Sequence, residues 1–147
     1  MPYNQTDVIS ESSKVNQWKY ITPVQDPNII SSFSGKNKVH LPDGVVKFIL
    51  THNAGRPIKN RFDTNRVKGN QFDGLFSYNR GDTDNIFNIY TGKFKRELQQ
   101  RNLYPLGMTP NGDVICIKLN SIVLFRNETH TIETISDSFN GFINKLY

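Results

Sequence analysis

One cysteine and three histidines are the residues of this sequence most able to support catalysis or metal binding. Cys116 lies in the apolar run 114–117, whereas a nucleophilic cysteine needs electropositive surroundings that lower the pKa of its thiol. We therefore expect Cys116 to be a small core residue. His40, His52 and His130 share no spacing typical of zinc ligands, and a general acid–base pair of His130 with Glu128 is the enzymatic alternative.

Two short segments resemble ligand-binding loops only in part. The segment 82–85 begins like a calcium loop, which then requires glycine at its sixth position and glutamate at its twelfth. This chain has Phe87 and Lys93 at those positions. Gly92 and Lys93 lack the earlier glycine and the following hydroxyl residue of a phosphate-binding loop. The sequence therefore predicts no catalytic residue, no cofactor and no metal site, and we expect the acidic residues of 82–85 to close a turn and cap a helix.

The length and composition favour one globular domain. A chain of 147 residues can bury a sizeable core. No apolar run approaches the ~18 residues that span a bilayer. The first ten residues lack the basic end and the apolar stretch of a secretory signal, and a single cysteine excludes a disulfide framework. These features predict a soluble, cytoplasmic protein.

The basic residues are concentrated in the middle third of the chain. Residues 56–101 carry ten basic and five acidic side chains, a surplus equal to the whole net charge of +5. Such a cluster can create a positive field that attracts an acidic partner. Solvated side chains on strands and a helix are the alternative interpretation.

Hydrophobic spacing predicts four helices. The first begins at Asp26-Pro27 and ends at Ser34-Gly35. The second covers about 43–53, because four residues from Val45 to His52 share one helical face, and Gly55 should be its left-handed C-terminal stop. The third covers 84–101, with Phe94 on its apolar side and a possible break at Gly92. Ser136 should cap the last helix, with Asp137 in its first turn, and its apolar stripe is Phe139, Phe142, Ile143 and Leu146.

The remaining segments predict strands. Residues 56–80 should be extended, with Phe72, Phe76 and Tyr78 on one face and Asp73 and Ser77 on the other. Gly69 and Gly74 suggest a turn and a bulge within this segment. Runs at 103–108, 114–119, 122–125 and 131–135 should be strands, with turns at 110–113 and at Asn120-Ser121. Residues 1–17 should form a loosely ordered arm. The order of elements indicates an α+β fold: residues 18–147 as a single domain with a twisted, mainly antiparallel β-sheet and helices packed against it.

Four segments of the chain together resemble one family. They are the helix motif 41–55, the segment 104–117 with its Tyr-Pro-Leu-Gly and Asn-Gly-Asp-Val-Ile-Cys-Ile sequences, the run 122–128 and the segment 135–143. Their order and spacing are similar to the SUKH superfamily, which includes the yeast cell-wall-assembly regulator and many bacterial immunity proteins. The resemblance covers about residues 18–147. This chain departs from relatives in having Ala54-Gly55 where Gly-Gly is common, and Thr109 or Pro110 where an acid is common.

The resemblance implies an α+β fold without enzymatic activity. Single-domain bacterial members commonly bind a cognate toxin domain, often a nuclease, and neutralise it in the producing cell. Many antidotes to nucleases are acidic, whereas this chain is basic. Its partner would therefore present an acidic face, or binding would use a local acidic patch such as Asp73, Asp82 and Asp84.

The resulting hypothesis is a cytoplasmic bacterial immunity protein that occludes the toxin domain of its partner. The predicted partner-binding residues lie in the middle segment: Arg56, Arg61, Arg66, Tyr78, Asn79, Arg80, Asp82 and Asp84. A non-enzymatic regulatory module of the same fold is one alternative. The other alternative is a binder of single-stranded nucleic acid, because basic residues interleave with aromatic ones in the middle segment.

Overall fold

A five-stranded antiparallel sheet organises the fold. The computed structural model describes residues 16–91 and 95–147. The sheet follows chain order, with each strand antiparallel to its neighbour. Its strands are β5 (Gly74–Leu75), β6 (Tyr104–Met108), β7 (Val114–Lys118), β8 (Ser121–Phe125) and β9 (Ile132–Ser136). The predicted α+β class with an antiparallel sheet is confirmed.

The two most apolar strands lie in the middle of the sheet. Residues 114–117 of β7 and 122–125 of β8 are buried, because layers cover both faces of these strands. Cys116 is fully buried among them, as predicted. The turn that joins β6 to β7 has the predicted glycine, Gly112, with φ of 88°.

The turn between β7 and β8 lies one residue earlier than predicted. Lys118 pairs with Ser121, so Leu119 and Asn120 form the turn and Ser121 already belongs to β8. The φ of Leu119 is 58°, a left-handed value that leucine rarely adopts. Hydrophobicity at Leu119 had favoured a strand, but the pairing register decides where the turn falls.

Five helices occur in the described part of the chain. They are α1 (Ile29–Lys36), α2 (Asp43–His52), α3 (Ile86–Thr91), α4 (Lys95–Gln100) and α5 (Phe139–Lys145). The predicted bounds of α2 are correct to within a residue. The helix α1 begins later than predicted because Asp26 accepts a hydrogen bond from the backbone N–H of Asn28 in a turn that precedes the helix.

Described helical residues lie on both sides of 92–94 within the predicted third helix, and the predicted break at Gly92 stays a prediction. α3 and α4 flank residues 92–94, which lie outside the described residues, as does the predicted position of Phe94 in the apolar stripe. The predicted start at residue 84 is also early, because Asn85 accepts a hydrogen bond from the backbone N–H of Asn88 and so caps α3. The acids of 82–85 therefore lie in the turn before the helix.

The extended conformation predicted for residues 56–80 is divided among short strands. The segment contains β2 (Arg56–Pro57), β3 (Arg61–Phe62), β4 (Asn70–Gln71) and β5. β2 pairs with β1 (Trp18–Lys19), and β3 pairs with β4. Gly69, just before β4, and Gly74, the first residue of β5, have positive φ, a conformation that favours glycine. Ser77 is buried, as are Phe76 and Tyr78, so the structure covers the chain on both sides there.

Gly55 has a different role from the predicted one. The left-handed residue after α2 is Ala54, with φ of 61°. A Cβ on Gly55 would lie 2.7 Å from the carbonyl oxygen of His52 and 3.1 Å from the ring of Trp18. Glycine is needed at 55 because the backbone and Trp18 approach it closely.

The cap of α5 is Ser138 and not Ser136. The Ser138 Oγ accepts a hydrogen bond from the backbone N–H of Gly141, whereas Ser136 is the last residue of β9. Asp137 therefore precedes the cap and does not stand in the first turn. Phe139, Phe142 and Leu146 are buried as the predicted stripe requires.

The N-terminal arm stays a prediction for its first fifteen residues, which lie outside the described part. Asn16 bonds to the backbone of Lys59 in both directions, donating at 2.7 Å and accepting at 2.8 Å. None of the described helices has the length and apolar character needed to cross a membrane.

Candidate functional site

A cleft at the edge of the sheet brings together part of the predicted binding segment. We call it the mixed-charge cleft. It has a volume of about 450 Å³. Its lining residues are Tyr20, Thr22, Ala54, Arg56, Asp73, Gly74, Leu75, Ser77, Asp82, Thr83, Asp84 and Met108. Three of the eight predicted binding residues, Arg56, Asp82 and Asp84, therefore share one surface.

The buried side chain of Asn53 connects three of the chain segments that lie at the cleft. Its Nδ2 donates to the carbonyl of Thr22 at 2.9 Å and to the Ser77 Oγ at 3.2 Å. Its Oδ1 accepts from the backbone N–H of Tyr78 at 2.9 Å. Asn53 directly follows α2, so the end of this helix fixes both walls of the cleft.

The side chain of Asn79 also connects separate chain segments, at the wall of the cleft formed by the turn 79–85. Its Nδ2 donates to the carbonyl of Pro23 and its Oδ1 accepts from the backbone N–H of Gln25, both at 2.9 Å. The backbone N–H of Asn79 donates to the Ser77 Oγ at 3.0 Å. Sequence reasoning assigned Asn79 to the partner-binding surface, but the side chain is buried and engaged within the fold.

Tyr78 is a core residue. Only 4% of it is exposed, and its hydroxyl lies 2.7 Å from the hydroxyl of Tyr104. Burial raises the pKa of Tyr78 above its usual value. The ring is thus not available as an aromatic anchor for a partner, and we do not carry Tyr78 or Asn79 into the binding surface.

The wall of the cleft formed by β2 presents an exposed pair of side chains. The Arg56 guanidinium carbon lies 5.9 Å from the ring centre of Tyr20, and Arg56 Nη1 lies 4.0 Å from Asp73 Oδ1. Tyr20 is 73% exposed and has φ of 62°. Strained, exposed residues occur at functional sites more than elsewhere, so this wall is a candidate contact surface.

The opposite wall is the turn 79–85. Asp82 Oδ2 accepts a hydrogen bond from the Ser77 Oγ at 2.5 Å. Asn85 Nδ2 donates to the carbonyls of Asp82 and Arg80, at 2.9 and 3.3 Å. The Arg80 guanidinium carbon lies 3.9 Å from the ring centre of Phe87. These contacts fix the turn, and Asp84 stands exposed on it.

Arg61 and Arg66 are not part of the cleft. Arg61 Nη1 donates to the carbonyl of Gly69 at 3.2 Å, and its backbone pairs with that of Tyr147. Arg66 is exposed in the loop between β3 and β4. The eight predicted binding residues therefore fall into separate places. Arg56, Asp82 and Asp84 line the cleft, and Arg80 lies in the turn 79–85. Tyr78 and Asn79 are buried, and Arg61 and Arg66 lie outside the cleft.

The cleft can bind a charged protein surface by electrostatic and apolar contact. Three carboxylates, from Asp73, Asp82 and Asp84, and one guanidinium line it, with Leu75 and Met108 as apolar lining. Carboxylates pair well with arginine or lysine side chains of a partner. A ring such as Tyr20 stacks on guanidinium groups.

The residues with catalytic potential lie elsewhere. Burial raises the pKa of the Cys116 thiol, which disfavours the reactive thiolate. His52 stacks on Phe48 at 4.0 Å between ring centres, and its Nδ1 lies 3.0 Å from the Phe48 carbonyl oxygen. The His130 Nδ1 lies 3.8 Å from Glu97 Oε2. Within residues 16–91 and 95–147, no group of three or more His, Cys, Asp or Glu residues could hold a metal ion.

Comparison with known proteins adds a family to this geometry. A family model described as SMI1 / KNR4 family (SUKH-1) matches residues 26–145, which is most of the chain and includes every strand of the five-stranded sheet. No curated protein matches the chain.

Proposed function

The chain belongs to the SMI1 / KNR4 family (SUKH-1), and from that premise we propose that it is an immunity protein. In this proposal it binds the toxin domain of a cognate polymorphic toxin in the bacterial cytoplasm and blocks that domain sterically. The toxin is a nuclease, which is a basic protein because it must bind nucleic-acid phosphates.

Family membership is the observation that carries the proposal. SUKH domains are generally non-enzymatic immunity or regulatory modules, so a protein partner is expected. The family match covers the lining of the mixed-charge cleft from residue 54 to residue 108, and Tyr20 and Thr22 lie before it.

The mixed-charge cleft is the proposed toxin-binding surface. Its carboxylates, Asp73, Asp82 and Asp84, offer acceptors to basic side chains of a nuclease even though the chain as a whole is basic. Local charge at an interface decides orientation and association rate more than net charge does. The proposal thus accounts for an antidote with a net charge of +5.

Rigidity of the cleft supports tight binding. Asn53 and Asn79 are buried and hold its walls through five side-chain hydrogen bonds to the backbone or to Ser77. A surface that is already ordered loses less conformational freedom on binding. A stable inhibitor would bury about 800 Å² on its own side, so the interface includes Tyr20 and extends beyond the cleft lining onto Arg80 of the turn 79–85.

Co-expression with the toxin domain encoded beside this gene tests the proposal. The wild-type chain should restore growth, and Asp84→Lys should weaken binding of the purified toxin at least about tenfold, because it places a cation against a basic partner. Asp137→Lys is the matched control, since Asp137 is exposed and lies outside the cleft.

The two parts of the proposal fail separately. If the wild-type chain neither restores growth nor binds the toxin, the immunity function is wrong. If it does both and Asp84→Lys binds as tightly as Asp137→Lys, the function stands and the cleft is not the interface. Capture of a regulatory enzyme of the same cell, with no toxin binding, would favour the regulatory alternative.

A further inference from the structure

A second depression lies on the side of the molecule formed by the α1–α2 loop and the β7–β8 turn. We call it the basic basin. Its volume is about 630 Å³. Its lining residues are Lys36, Asn37, Lys38, Val39, His40, Tyr90, Gln99, Asn102, Ile117 and Leu119. None of the predicted binding residues lines it.

The charges around the basic basin have one sign. Among the described residues that line it, those that carry charge are Lys36, Lys38 and, when protonated, His40. All three are exposed. Lys36 ends α1, and Lys38 and His40 follow at every second residue in the α1–α2 loop, so the three form one positive rim whose field favours an acidic partner.

The basin is also apolar inside. Tyr90 and Ile117 are buried, with Val39 half-buried beside them. Leu119 is 84% exposed, the most exposed large hydrophobic residue of the described chain. A rim of charge around apolar groups is typical of surfaces that bind peptides or proteins.

Leu119 is placed at this rim against its own conformational preference. Its φ is 58°, whereas φ is not positive at the next residue, Asn120. A positive φ is unfavourable for a residue other than glycine, asparagine or aspartate. Leucine at this position gains no burial in return, so packing within the fold does not explain its presence.

Backbone strain is concentrated around the same basin. Six described residues other than glycine have positive φ, and three of them line it: Lys38 at 60°, Asn102 at 57° and Leu119 at 58°. Such conformations persist where the surrounding structure holds them, and they cluster at binding surfaces. Three separate loops therefore converge on one place with unusual backbone geometry.

We propose that the basic basin is a second docking surface, which binds an acidic segment of a protein partner that also carries an apolar side chain. The carboxylates of the segment pair with Lys36 and Lys38, and its apolar side chain packs between Val39 and Leu119. The proposal rests on the proposed function only in taking the partner to be a protein, and it concerns residues outside the mixed-charge cleft.

An acidic peptide explains the basin better than a nucleic acid does. Binding of single strands uses several exposed rings on which successive bases stack, whereas the lining of the basin offers the exposed ring of His40 alone, because Tyr90 is only 2% exposed. An exposed leucine beside two lysines instead matches a partner in which acidic and apolar side chains alternate.

Titration of the full ¹⁵N-labelled chain with a synthetic peptide tests the proposal. The probe is a twelve-residue peptide of glutamate and leucine, and the matched peptide has serine in place of leucine. We expect saturable chemical-shift changes centred on residues 36–40 and 117–119 with the first peptide, and binding at least about tenfold weaker with the second, because the apolar contact is absent.

Two variants separate the charge and the apolar contribution. Lys36→Glu/Lys38→Glu should weaken peptide binding at least about tenfold at low salt. The control is Lys59→Glu/Lys68→Glu, which changes the net charge equally at exposed residues outside the basin. Leu119→Gly should weaken binding about fivefold or more while the protein becomes as stable as wild type or more stable, because glycine relieves the left-handed strain.

Several outcomes would overturn the inference. Absence of saturable shifts in the basin would do so, as would equal binding of the serine peptide or unchanged binding by both basin variants. Stronger shifts of the same residues with a single-stranded oligonucleotide or with anionic lipid vesicles would assign the basin to another class of ligand. Because the peptide assay does not involve the toxin, its result is independent of whether the immunity proposal holds.

Discussion

The hydroxyl groups of Tyr78 and Tyr104 form a hydrogen bond of 2.7 Å within the core. Both residues are almost fully buried, and burial raises the pKa of each phenol. The alternation of residues predicted that Tyr78 shares one face of a strand with Phe72 and Phe76, but the sequence did not indicate whether that face was covered. Only the packing of α3 and β6 around it decides that Tyr78 is a structural residue.

A double-mutant cycle on this pair tests the assignment to the core. Tyr78→Phe should lower the free energy of unfolding by about 1–3 kcal/mol, because it leaves the Tyr104 hydroxyl buried without a partner. The double variant Tyr78→Phe/Tyr104→Phe should be less destabilised than the sum of the single variants, since no unpaired hydroxyl remains. Urea denaturation gives these values. Additive losses, or a Tyr78→Phe variant with unchanged stability and weakened partner binding, would contradict the core role.

At the scale of one element, α5 shows how a cap is decided. Two serines precede this helix two residues apart, and either is a good cap residue by type. Ser136 continues β9, where it pairs with Ile122 of β8. Ser138 has φ of −148° and ψ of 159°, the extended conformation that a cap residue needs. The sheet register thus moves the start of the helix by two residues.

Replacing each serine in turn measures this difference. Ser138→Ala should lower the free energy of unfolding by about 1 kcal/mol, because the backbone N–H of Gly141 loses its acceptor. Ser138→Asp should retain most of the stability. Ser136→Ala is the matched control and should cost less, since its Oγ accepts only a long bond of 3.4 Å from the Ser138 backbone. A larger loss of stability for Ser136→Ala than for Ser138→Ala would instead assign the cap to Ser136, as expected from the sequence.

At the scale of the whole molecule, Arg126 joins the sheet to the loop between β3 and β4. Its guanidinium contacts Glu133 twice at 2.8 Å, Asp113 at 2.9 Å and Asn70 at 3.2 Å. Thr64 donates to the same Glu133 carboxylate at 2.7 Å. One partly buried cation, with 19% of its side chain exposed, therefore links residues from four segments of the chain.

Removal of this cation should destabilise the whole fold. Arg126→Met should lower the free energy of unfolding at pH 7 by about 3 kcal/mol, because two nearly buried carboxylates lose their partner. Arg126→Lys should lose less, since the charge remains although the bidentate contact does not. An exposed arginine such as Arg66 is the control, and its replacement by Met should leave stability within about 0.5 kcal/mol.

The same network makes stability depend on pH in a defined direction. Hydrogen bonds from Arg126 hold the pKa of Glu133 below its usual value of 4.5. Below about pH 4.5 the unfolded chain therefore binds more protons at Glu133 than the folded chain does. The stability that Glu133 contributes is complete above about pH 4.5 and is lost as the pH falls through the pKa of Glu133 in the folded protein. The difference between wild type and Arg126→Met should therefore shrink as the pH falls below about 4.5. A difference that stays constant over this range would contradict the assigned role of Glu133.

Local pattern was sufficient for the regular elements of the fold. The apolar runs of β7 and β8, the stripe of α5 and the bounds of α2 depend on neighbours within a few residues, where side-chain period determines structure. The family resemblance depends on the same segments, and the family match confirms it. The burial of Cys116 follows from the apolar residues next to it in the sequence alone.

The surfaces were decided by the tertiary structure. The prediction grouped eight residues because they are near one another in sequence, and the fold separates them into the mixed-charge cleft, the core and the β3–β4 loop. Asn53, Asn79 and Arg126 organise these regions through hydrogen bonds to segments 13 to 56 residues away, which no local pattern encodes. The strained turn at Leu119 likewise depends on strand register, because pairing across the hairpin, and not the preference of leucine, fixes which residues must turn.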